Sequence, residues 1–293
     1  MPSKAEIKSI IKELRTSFYL LNKNILVRIA LIMLMFLILL AVFAPFITPF
    51  PDHAGTANNP SMALQPMSST HWFGTDEMGR DILTRVIFGI RISLYSSFTT
   101  IIVAVLIGSV LGAIAGASKG WVDEILMRIT DCFLSFPPLL LAITIAALLG
   151  PSLTNAQIAI VLAWWPFYTR LMRGQAISVK EKQFVRAAEA IGTGRLTIIF
   201  RHIVPNCIPP IIVQASIDMG SVILTLASLG FLGIGAQAPT PEWGLMVSTS
   251  RFYFLNAQWY SIFPGLAIFF TVLSFNLIGD GLREVLDPKT RKN

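Results

Sequence analysis

The stretch Ile29–Ile47, with the sequence IALIMLMFLILLAVFAPFI, contains nineteen consecutive residues and no charged side chain. A helix of that length is about long enough to cross a hydrocarbon layer roughly 30 Å thick. Over the whole chain, 54 % of the 293 residues are hydrophobic and 13 % are charged, whereas a soluble domain carries about 25 % charged residues. These features exclude a soluble enzyme, a disordered chain and a fibrous protein, and they indicate a polytopic membrane protein.

Five further apolar blocks follow the first one along the chain. Lipid offers no partner for backbone N–H and C=O groups, so each block is expected to be helical. The sequence therefore predicts an all-α protein with six transmembrane helices. The predicted blocks are Ile29–Ile47, Leu94–Ala117, a third block that begins at Ile129 or Phe133 and ends at Leu149, Ala156–Thr169, Ile208–Ile234 and Ile262–Ile278.

The distribution of Lys and Arg predicts the orientation of these helices. With a cytoplasmic N-terminus, nineteen of the 23 basic residues lie on the cytoplasmic side, which is the side that basic residues favour. Both termini are then cytoplasmic, and the net charge of +7 reflects topology rather than nucleic-acid binding. The predicted organisation is a cytoplasmic segment 1–28, a first transmembrane helix 29–49, an extracytoplasmic loop 50–93, a five-helix core 94–282 that includes a cytoplasmic loop 171–207, and a cytoplasmic tail 283–293.

The end of the extracytoplasmic loop, Gly79–Ser93, predicts an interfacial helix that leads into the second span. Ile82, Val86 and Ile90 recur at helical spacing, with arginines on the opposite face. Such a helix is typical of a segment anchored in the membrane surface.

The sequence contains no pattern of residues that predicts chemistry within this chain. Its three histidines lie far apart, its two cysteines do not suggest a disulfide framework, and the phosphate-binding pattern G-x-x-x-x-G-K-[ST] is absent. We therefore expect no catalytic residue, no metal site and no cofactor in the chain. If the protein uses ATP, another chain must supply the ATPase.

The cytoplasmic loop 171–207 predicts a helical hairpin. Ser178 and Glu181 form a capping-box pattern at the start of a short helix, and Gly192 lies where a left-handed cap would end it. Thr193 is then expected to cap a second helix that ends at Pro205. The pattern fits either insertion into a groove of another protein or adsorption to lipid headgroups.

Part of this hairpin resembles the EAA loop of ABC importer permeases, whose pattern is E-A-A-x3-G-x9-I-x-L-P. Ala187, Ala188, Gly192 and Pro205 match that pattern, whereas an arginine replaces the leading Glu and His202 replaces the Ile. The resemblance favours docking on an ATPase over adsorption to lipid. It assigns coupling to the ATPase to Arg186, Ala187, Ala188, Glu189, Gly192 and Pro205.

A longer segment, from His71 to Leu94, is similar to the F-G-T-D-x-x-G-R-D-x-x-S-R segment that marks the C-type permease of dipeptide, oligopeptide and nickel importers. Phe231–Gly235 and Pro239–Gly244 also agree with this family. The resemblance extends from about residue 22 to residue 288, and it implies the type I ABC importer permease fold. It further implies a second permease subunit, two ABC ATPases that bind ATP and Mg²⁺, and an extracytoplasmic solute-binding protein.

Within the family, two groups of residues are candidate sites. Asp218 and Asn276 are candidates for the translocation path, although Asp218 could instead lie near the inner end of its helix in contact with water. The residues expected at the outer gate or in contact with the binding protein are Asp76, Arg80, Asp81 and Trp243. The glycines Gly108, Gly112 and Gly116 are spaced for close helix packing, either within the chain or against the partner permease.

The predicted function is a permease subunit in the cell membrane that imports di- or oligopeptides. Nickel chelates and oligosaccharides are alternative solutes in the same architecture. An ion-driven secondary transporter would be expected to carry charged sites in repeated halves, and a membrane-embedded enzyme would need a nucleophile–base pair or metal ligands; the sequence offers neither pattern.

Overall fold

The computed structural model describes residues 24–286 apart from residue 119. These residues form ten α-helices with short 3₁₀ turns between some of them, and no strand occurs within this part of the chain. The helices are α1 (Ile25–Ile47), α2 (Ile82–Ala117), α3 (Trp121–Leu134), α4 (Pro138–Leu149), α5 (Leu153–Lys180), α6 (Gln183–Ala190), α7 (Arg195–Ile198), α8 (Val204–Phe231), α9 (Trp243–Ser250) and α10 (Trp259–Leu286). The all-α prediction is confirmed.

Four of the described helical segments are long and apolar enough to cross a membrane, and α3 with α4 counts as a fifth if that bent pair is one span. The four are Ile25–Ile47, Ile82–Ala117, Leu196–Phe231 and Trp259–Val285. The remaining expected span, Ala156–Thr169, lies in α5, which has 28 residues but is not among the segments that are apolar enough. The count of six stays a prediction.

Helices α2 and α5 pack so closely that glycine is required between them. An added Cβ atom would lie 2.5 Å from the Trp165 carbonyl oxygen at Gly108, and 2.4 Å from the Thr169 carbonyl oxygen at Gly112. At Gly116 it would lie 2.7 Å from another Cβ atom of α5. Because lipid supplies no hydrophobic drive between helices, small residues that allow backbones to approach provide the packing instead. The glycine row therefore serves packing within the chain.

The expected interfacial helix at Gly79–Ser93 does not exist as a separate element. Helix α2 begins at Ile82 and continues for 36 residues, a length of about 54 Å. This length exceeds the roughly 30 Å of a hydrocarbon layer, and in the first turns Ile82, Val86 and Ile90 are buried against Trp243 and Tyr260. This apolar face packs on protein rather than lipid, because α9 and α10 cover it.

The third predicted span, 129–149, is two helices that meet at an angle of 87°. Pro137 and Pro138 explain the break: a residue that precedes proline avoids the α conformation, and Pro137 adopts φ −57° and ψ 127°. Pro138 then begins α4, where its missing N–H group is not needed.

Candidate functional site

The helical hairpin, which we define by residues 181–203, lies at the end of the bundle where α5 ends and α8 begins. We call this end the inner end and the opposite one the outer end, after the predicted orientation. Its first helix starts later than the sequence predicted, because α5 continues through Ser178 to Lys180. Helix α6 begins at Gln183, and Lys182 at its N-cap makes no side-chain capping bond. The predicted capping box is wrong, since Ser178 lies in the last turns of a long helix that packs on the core.

The turn between the two arms is a Schellman motif, and Gly192 adopts the left-handed conformation that the sequence predicts for it. The Gly192 N–H donates to the Glu189 carbonyl and the Thr193 N–H donates to the Ala188 carbonyl, each at 3.0 Å. Gly192 has φ +80°, and no atom lies within 4 Å of the position that a Cβ atom would occupy there. The requirement for glycine is therefore conformational, not steric.

The second arm does not end at Pro205. Helix α7 passes into a π turn at Ile199–Ile203 and then directly into α8. In the π turn the Val204 N–H donates to the Ile199 carbonyl, five residues earlier. This shift places Pro205 in the first turn of α8, where no N–H donor is required. The second arm of the hairpin is thus continuous with a membrane-spanning helix.

The hairpin has a buried face and an exposed apolar face. Val185 and Ala188 are buried in the core cluster, which fixes α6 to the bundle. Four large apolar side chains, which we call the hairpin's apolar surface, remain exposed: Phe184 (42 %), Ile191 (83 %), Leu196 (70 %) and Phe200 (71 %). Water is an unfavourable neighbour for such a cluster, so this surface is typical of an interface.

The residues that the EAA resemblance assigned to coupling surround this surface. Ala187, Glu189, Gly192 and Pro205 are exposed, and Ala188 is buried. Arg186 is exposed and forms an ion pair with Glu181. Behind the hairpin lies a cavity of about 410 Å³ whose lining includes Lys180, Glu189 and Thr193.

Asp218 lies deep in α8, fourteen residues beyond Val204, or about 21 Å along the helix. The Tyr168 hydroxyl donates to its Oδ2 atom at 2.6 Å, and Gln214 Nε2 donates to its Oδ1 atom at 3.0 Å. Among the described residues, no ion pair to Asp218 occurs. The side chain of Asn276, on α10, is exposed at one edge of this region and lies against Gly220 of α8.

Three of the expected outer residues form a buried ionic network instead of an exposed contact surface. Asp76 accepts from Arg80 Nε at 2.7 Å, and Arg85 Nε lies 3.3 Å from the same carboxylate oxygen. Asp81 caps α2 by accepting from the Thr84 N–H at 2.8 Å. Asp76, Arg80 and Asp81 are buried, so they hold the outer loop together and present no surface to a docking protein.

Two histidines complete the network around Asp81. His71 Nδ1 lies 2.9 Å from Asp81 Oδ1, and His53 Nδ1 accepts the Asp81 backbone N–H at 2.9 Å. Burial lowers the pKa of His53 below its ordinary value of 6.5 more than the nearby Asp81 raises it. His53 must therefore be neutral at Nδ1 for this contact to exist.

Trp243, the fourth expected outer residue, is fully buried at the start of α9. Its indole N–H donates to the Val86 carbonyl at 3.0 Å. The preceding Glu242 caps α9 by accepting from two backbone N–H groups, and burial raises the pKa of Glu242 to about 7. Trp243 thus fastens α9 to the outer end of α2 and, in this structure, has no free surface for a binding protein.

Comparison with known proteins identifies the family. A family model described as the inner membrane component of binding-protein-dependent transport systems matches residues 108–292, and one described as the N-terminal transmembrane domain of oligopeptide transport permease C matches residues 15–66. A dipeptide transport system permease protein of Alkalihalophilus pseudofirmus is 50 % identical over 94 % of this chain and 90 % of its own length. A glutathione transport system permease protein of Pectobacterium atrosepticum is 41 % identical over 92 % and 89 %.

A solved structure shares the fold at much lower sequence identity. One chain from the inward-facing structures of the MetNI methionine ABC transporter superposes with a TM-score of 0.57 at 17 % identity. The match covers 70 % of this chain and 97 % of that one. The likeness confirms the fold of an ABC importer permease.

Proposed function

Because the chain belongs to the family of inner membrane components of binding-protein-dependent transport systems, we propose that it is one permease subunit of an ATP-driven importer and forms half of a translocation path for di- or oligopeptides. The observation that carries this proposal is the hairpin's apolar surface, because Leu196 and Phe200 of that surface lie on the same continuous helical segment, Leu196–Phe231, as the spanning helix α8. A motor protein bound to that surface would move a membrane helix directly.

The proposed assembly contains a second permease subunit, two ABC ATPases that bind ATP and Mg²⁺, and an extracytoplasmic solute-binding protein. Both termini and the hairpin lie in the cytoplasm in this arrangement, where ATP is available. The curated relatives are named for dipeptide and glutathione transport, which supports a peptide as the solute. The chain itself supplies no catalysis, since hydrolysis belongs to the ATPases.

ATP binding would act by favouring one packing of the helices over another. In the proposed assembly each permease subunit carries one hairpin, and the two ATPases close on each other when they bind ATP. Closure stabilises one arrangement of the two hairpins only to the extent that the closed ATPase pair binds that arrangement more tightly than the other. The cavity of about 410 Å³ behind the hairpin leaves room for this displacement.

Within the proposed path, Asp218 and Asn276 supply polar groups on α8 and α10. A carboxylate in a membrane helix is costly unless it faces water or a partner, and Tyr168 and Gln214 each satisfy one oxygen of Asp218. The remaining lone pairs can accept from a passing solute. Asp218→Asn is then expected to lower the rate of uptake while the ATPases stay bound.

The docking role of the hairpin can be tested by co-purification of the ATPases in mild detergent. Ile191→Asp is expected to abolish capture of the ATPases, because Ile191 is 83 % exposed on the apolar surface. The matched control is Leu255→Asp, since Leu255 is 90 % exposed but lies at the opposite end of the bundle. Equal capture by both variants would contradict the proposal.

The transport role and the solute need reconstituted vesicles. With both permeases, the ATPases and the binding protein present, uptake of a labelled dipeptide should require ATP and persist when ion gradients are collapsed. Uptake that survives ATP depletion but stops without an ion gradient would establish a secondary transporter instead. Uptake of a nickel chelate or an oligosaccharide, and not of peptides, would keep the permease role and replace the solute.

A further inference from the structure

Helix α3 has a position that neither the transport role nor the hairpin explains. It follows the inner end of α2 and meets α4 at 87°. Helix α4 is a twelve-residue apolar helix that packs along α5. Because α4 packs along α5 and meets α3 at close to a right angle, α3 lies crosswise to α4, near the end of the bundle at which α2 ends.

One face of α3 is fixed to the bundle. Thr130 is fully buried, and the Phe133 ring contacts the Trp165 ring of α5 edge-on at a centroid distance of 5.3 Å. The Asp123 carboxylate accepts one hydrogen bond from Arg173 Nε at 2.6 Å and a second from a terminal guanidinium nitrogen of Arg173 at 2.7 Å. The bidentate geometry of this pair holds the helix at a defined angle against α5.

The remaining surface of α3 is divided into an apolar stripe and a charged edge. Trp121 (72 %), Ile125 (48 %) and Ile129 (46 %) are exposed, and they lie on one side because they recur every four residues. Glu124 and Arg128 are also exposed on the adjoining edge and pair with each other at 2.7 Å. The helix therefore has separate protein-facing, apolar and charged sectors.

Exposed apolar side chains continue along the chain beyond the stripe. Phe136 lies in the link between α3 and α4, Leu139 and Leu140 lie in the first turn of α4, and all three are exposed. The outward side chains of such an apolar helix are those expected to meet lipid. Within the exposed edge the charges cancel, because Glu124 pairs with Arg128 and Asp131 pairs with Arg170. Continuity with a lipid-facing helix and the absence of net charge both favour acyl chains as the neighbour of the stripe.

We propose that α3 is an interfacial helix that lies in one leaflet of the bilayer, with Trp121, Ile125 and Ile129 inserted among the phospholipid acyl chains. The charged edge remains at the level of the headgroups, and tryptophan at this depth is typical of a membrane interface. The inserted stripe carries no charge, so insertion does not depend on anionic lipid. The assignment to the cytoplasmic leaflet rests on the proposed topology, whereas insertion itself does not.

This placement has a consequence for the hairpin. Two ion pairs, Asp123–Arg173 and Asp131–Arg170, join α3 to the inner half of α5, and α5 ends three residues before α6 begins. A helix held at a fixed depth in the leaflet thus steadies the segment from which the hairpin extends.

The depth of α3 can be measured with nitroxide labels on the assembled transporter in lipid nanodiscs. The background carries Cys132→Ser and Cys207→Ala, and single cysteines are introduced as Ile125→Cys, Ile129→Cys and the matched control Glu124→Cys. Relaxation by oxygen, which concentrates in lipid, is compared with relaxation by a water-soluble nickel chelate. The discs contain either phosphatidylcholine alone or phosphatidylcholine with phosphatidylglycerol.

Oxygen is expected to exceed the nickel chelate in relaxing labels at positions 125 and 129, with the order reversed at position 124 and the same result in both lipids. Access of the nickel chelate to positions 125 and 129 would place the stripe in water and overturn the proposal. Protection of positions 125 and 129 from both reagents would place the stripe against another protein chain and overturn the proposal. Insertion only in discs with phosphatidylglycerol would contradict the expectation that insertion does not depend on anionic lipid. Because the measurement needs neither ATP hydrolysis nor solute, failure of the proposed transport function would leave its result unchanged.

Discussion

Gly192→Val tests whether the left-handed turn of the hairpin is needed for coupling. Gly192 has φ +80°, and no atom lies within 4 Å of the place that a Cβ atom would take, so the substitution introduces backbone strain without a clash. An L-residue in the left-handed region costs about 1–2 kcal/mol, and a β-branched residue is at the unfavourable end. Since 1.4 kcal/mol is about a factor of ten in an equilibrium constant, the ratio of the native turn to other conformations of this segment should fall roughly 5- to 30-fold.

The matched control is Gly174→Val. Gly174 also has no atom within 4 Å of its Cβ position, but it lies in α5 and does not have a positive φ. The assay is ATP hydrolysis and dipeptide uptake by the reconstituted transporter, read as solute transported per ATP. Gly192→Val should lower that ratio while the protein remains in the membrane, Gly192→Asn should restore most of it, and Gly174→Val should leave it unchanged. Equal ratios for the two valine variants would refute the reasoning.

Three further predictions concern the outer network and helix packing. Burial lowers the pKa of His53 in the native state, so the unfolded chain binds a proton first and the protein loses thermal stability as the pH falls from 6.5 to that lower pKa. His53→Asn removes this group and should abolish that loss of stability. Asp76→Asn leaves Arg80 and Arg85 buried without their shared carboxylate and should cost about 3–5 kcal/mol, measured by thermal unfolding in detergent; an unchanged midpoint would contradict the network. Gly112→Ala should cost about 1–3 kcal/mol by overpacking, whereas the unobstructed Gly174→Ala should stabilise its helix.

The predictions from sequence succeeded where a single local cause decides the structure. The absence of charge over Ile29–Ile47 predicted a spanning helix, and α1 occupies that stretch. Gly192 was assigned a left-handed turn from its position after an apolar periodic segment, and its φ confirms this. In both cases no distant residue had to be known.

The predicted boundaries of the hairpin were wrong because local signals compete with tertiary packing. Ser178 has the residue type of a helix start, yet α5 runs through it, since the buried side chains of its last turns favour a continuous helix. Pro205 has the residue type of a helix end, but a π turn before it absorbs the missing hydrogen bond. A π turn has no signature that the sequence alone displays.

The outer network could not be predicted for a different reason. The motif from His71 to Leu94 is rich in charge, and charge ordinarily indicates exposure. The residues that allow its burial lie far away in the chain: His53 receives the Asp81 N–H, and Tyr260 donates its hydroxyl to Glu77 at 2.6 Å. Only the fold brings these partners together, so the sequence does not display that Asp76, Arg80 and Asp81 are buried. Their role at the outer gate stays a prediction.

The distribution of close packing along α8 indicates where this helix can bend. At its outer end α8 packs closely against α9, because a Cβ atom added to Gly244 of α9 would lie 2.2 Å from the carbonyl oxygen of Ala227 of α8. Helix α9 is itself attached to α2 by the hydrogen bond of Trp243. Near the inner end, Pro209 and Pro210 lie inside the helix, and each proline removes a backbone hydrogen bond. A force applied to the hairpin therefore meets a locked outer half and a weakened segment close to the inner end. Bending at these prolines would move the hairpin relative to Asp218 and leave the outer layer in place, so the rigid outer network is compatible with the movement of the inner end that the proposed function requires.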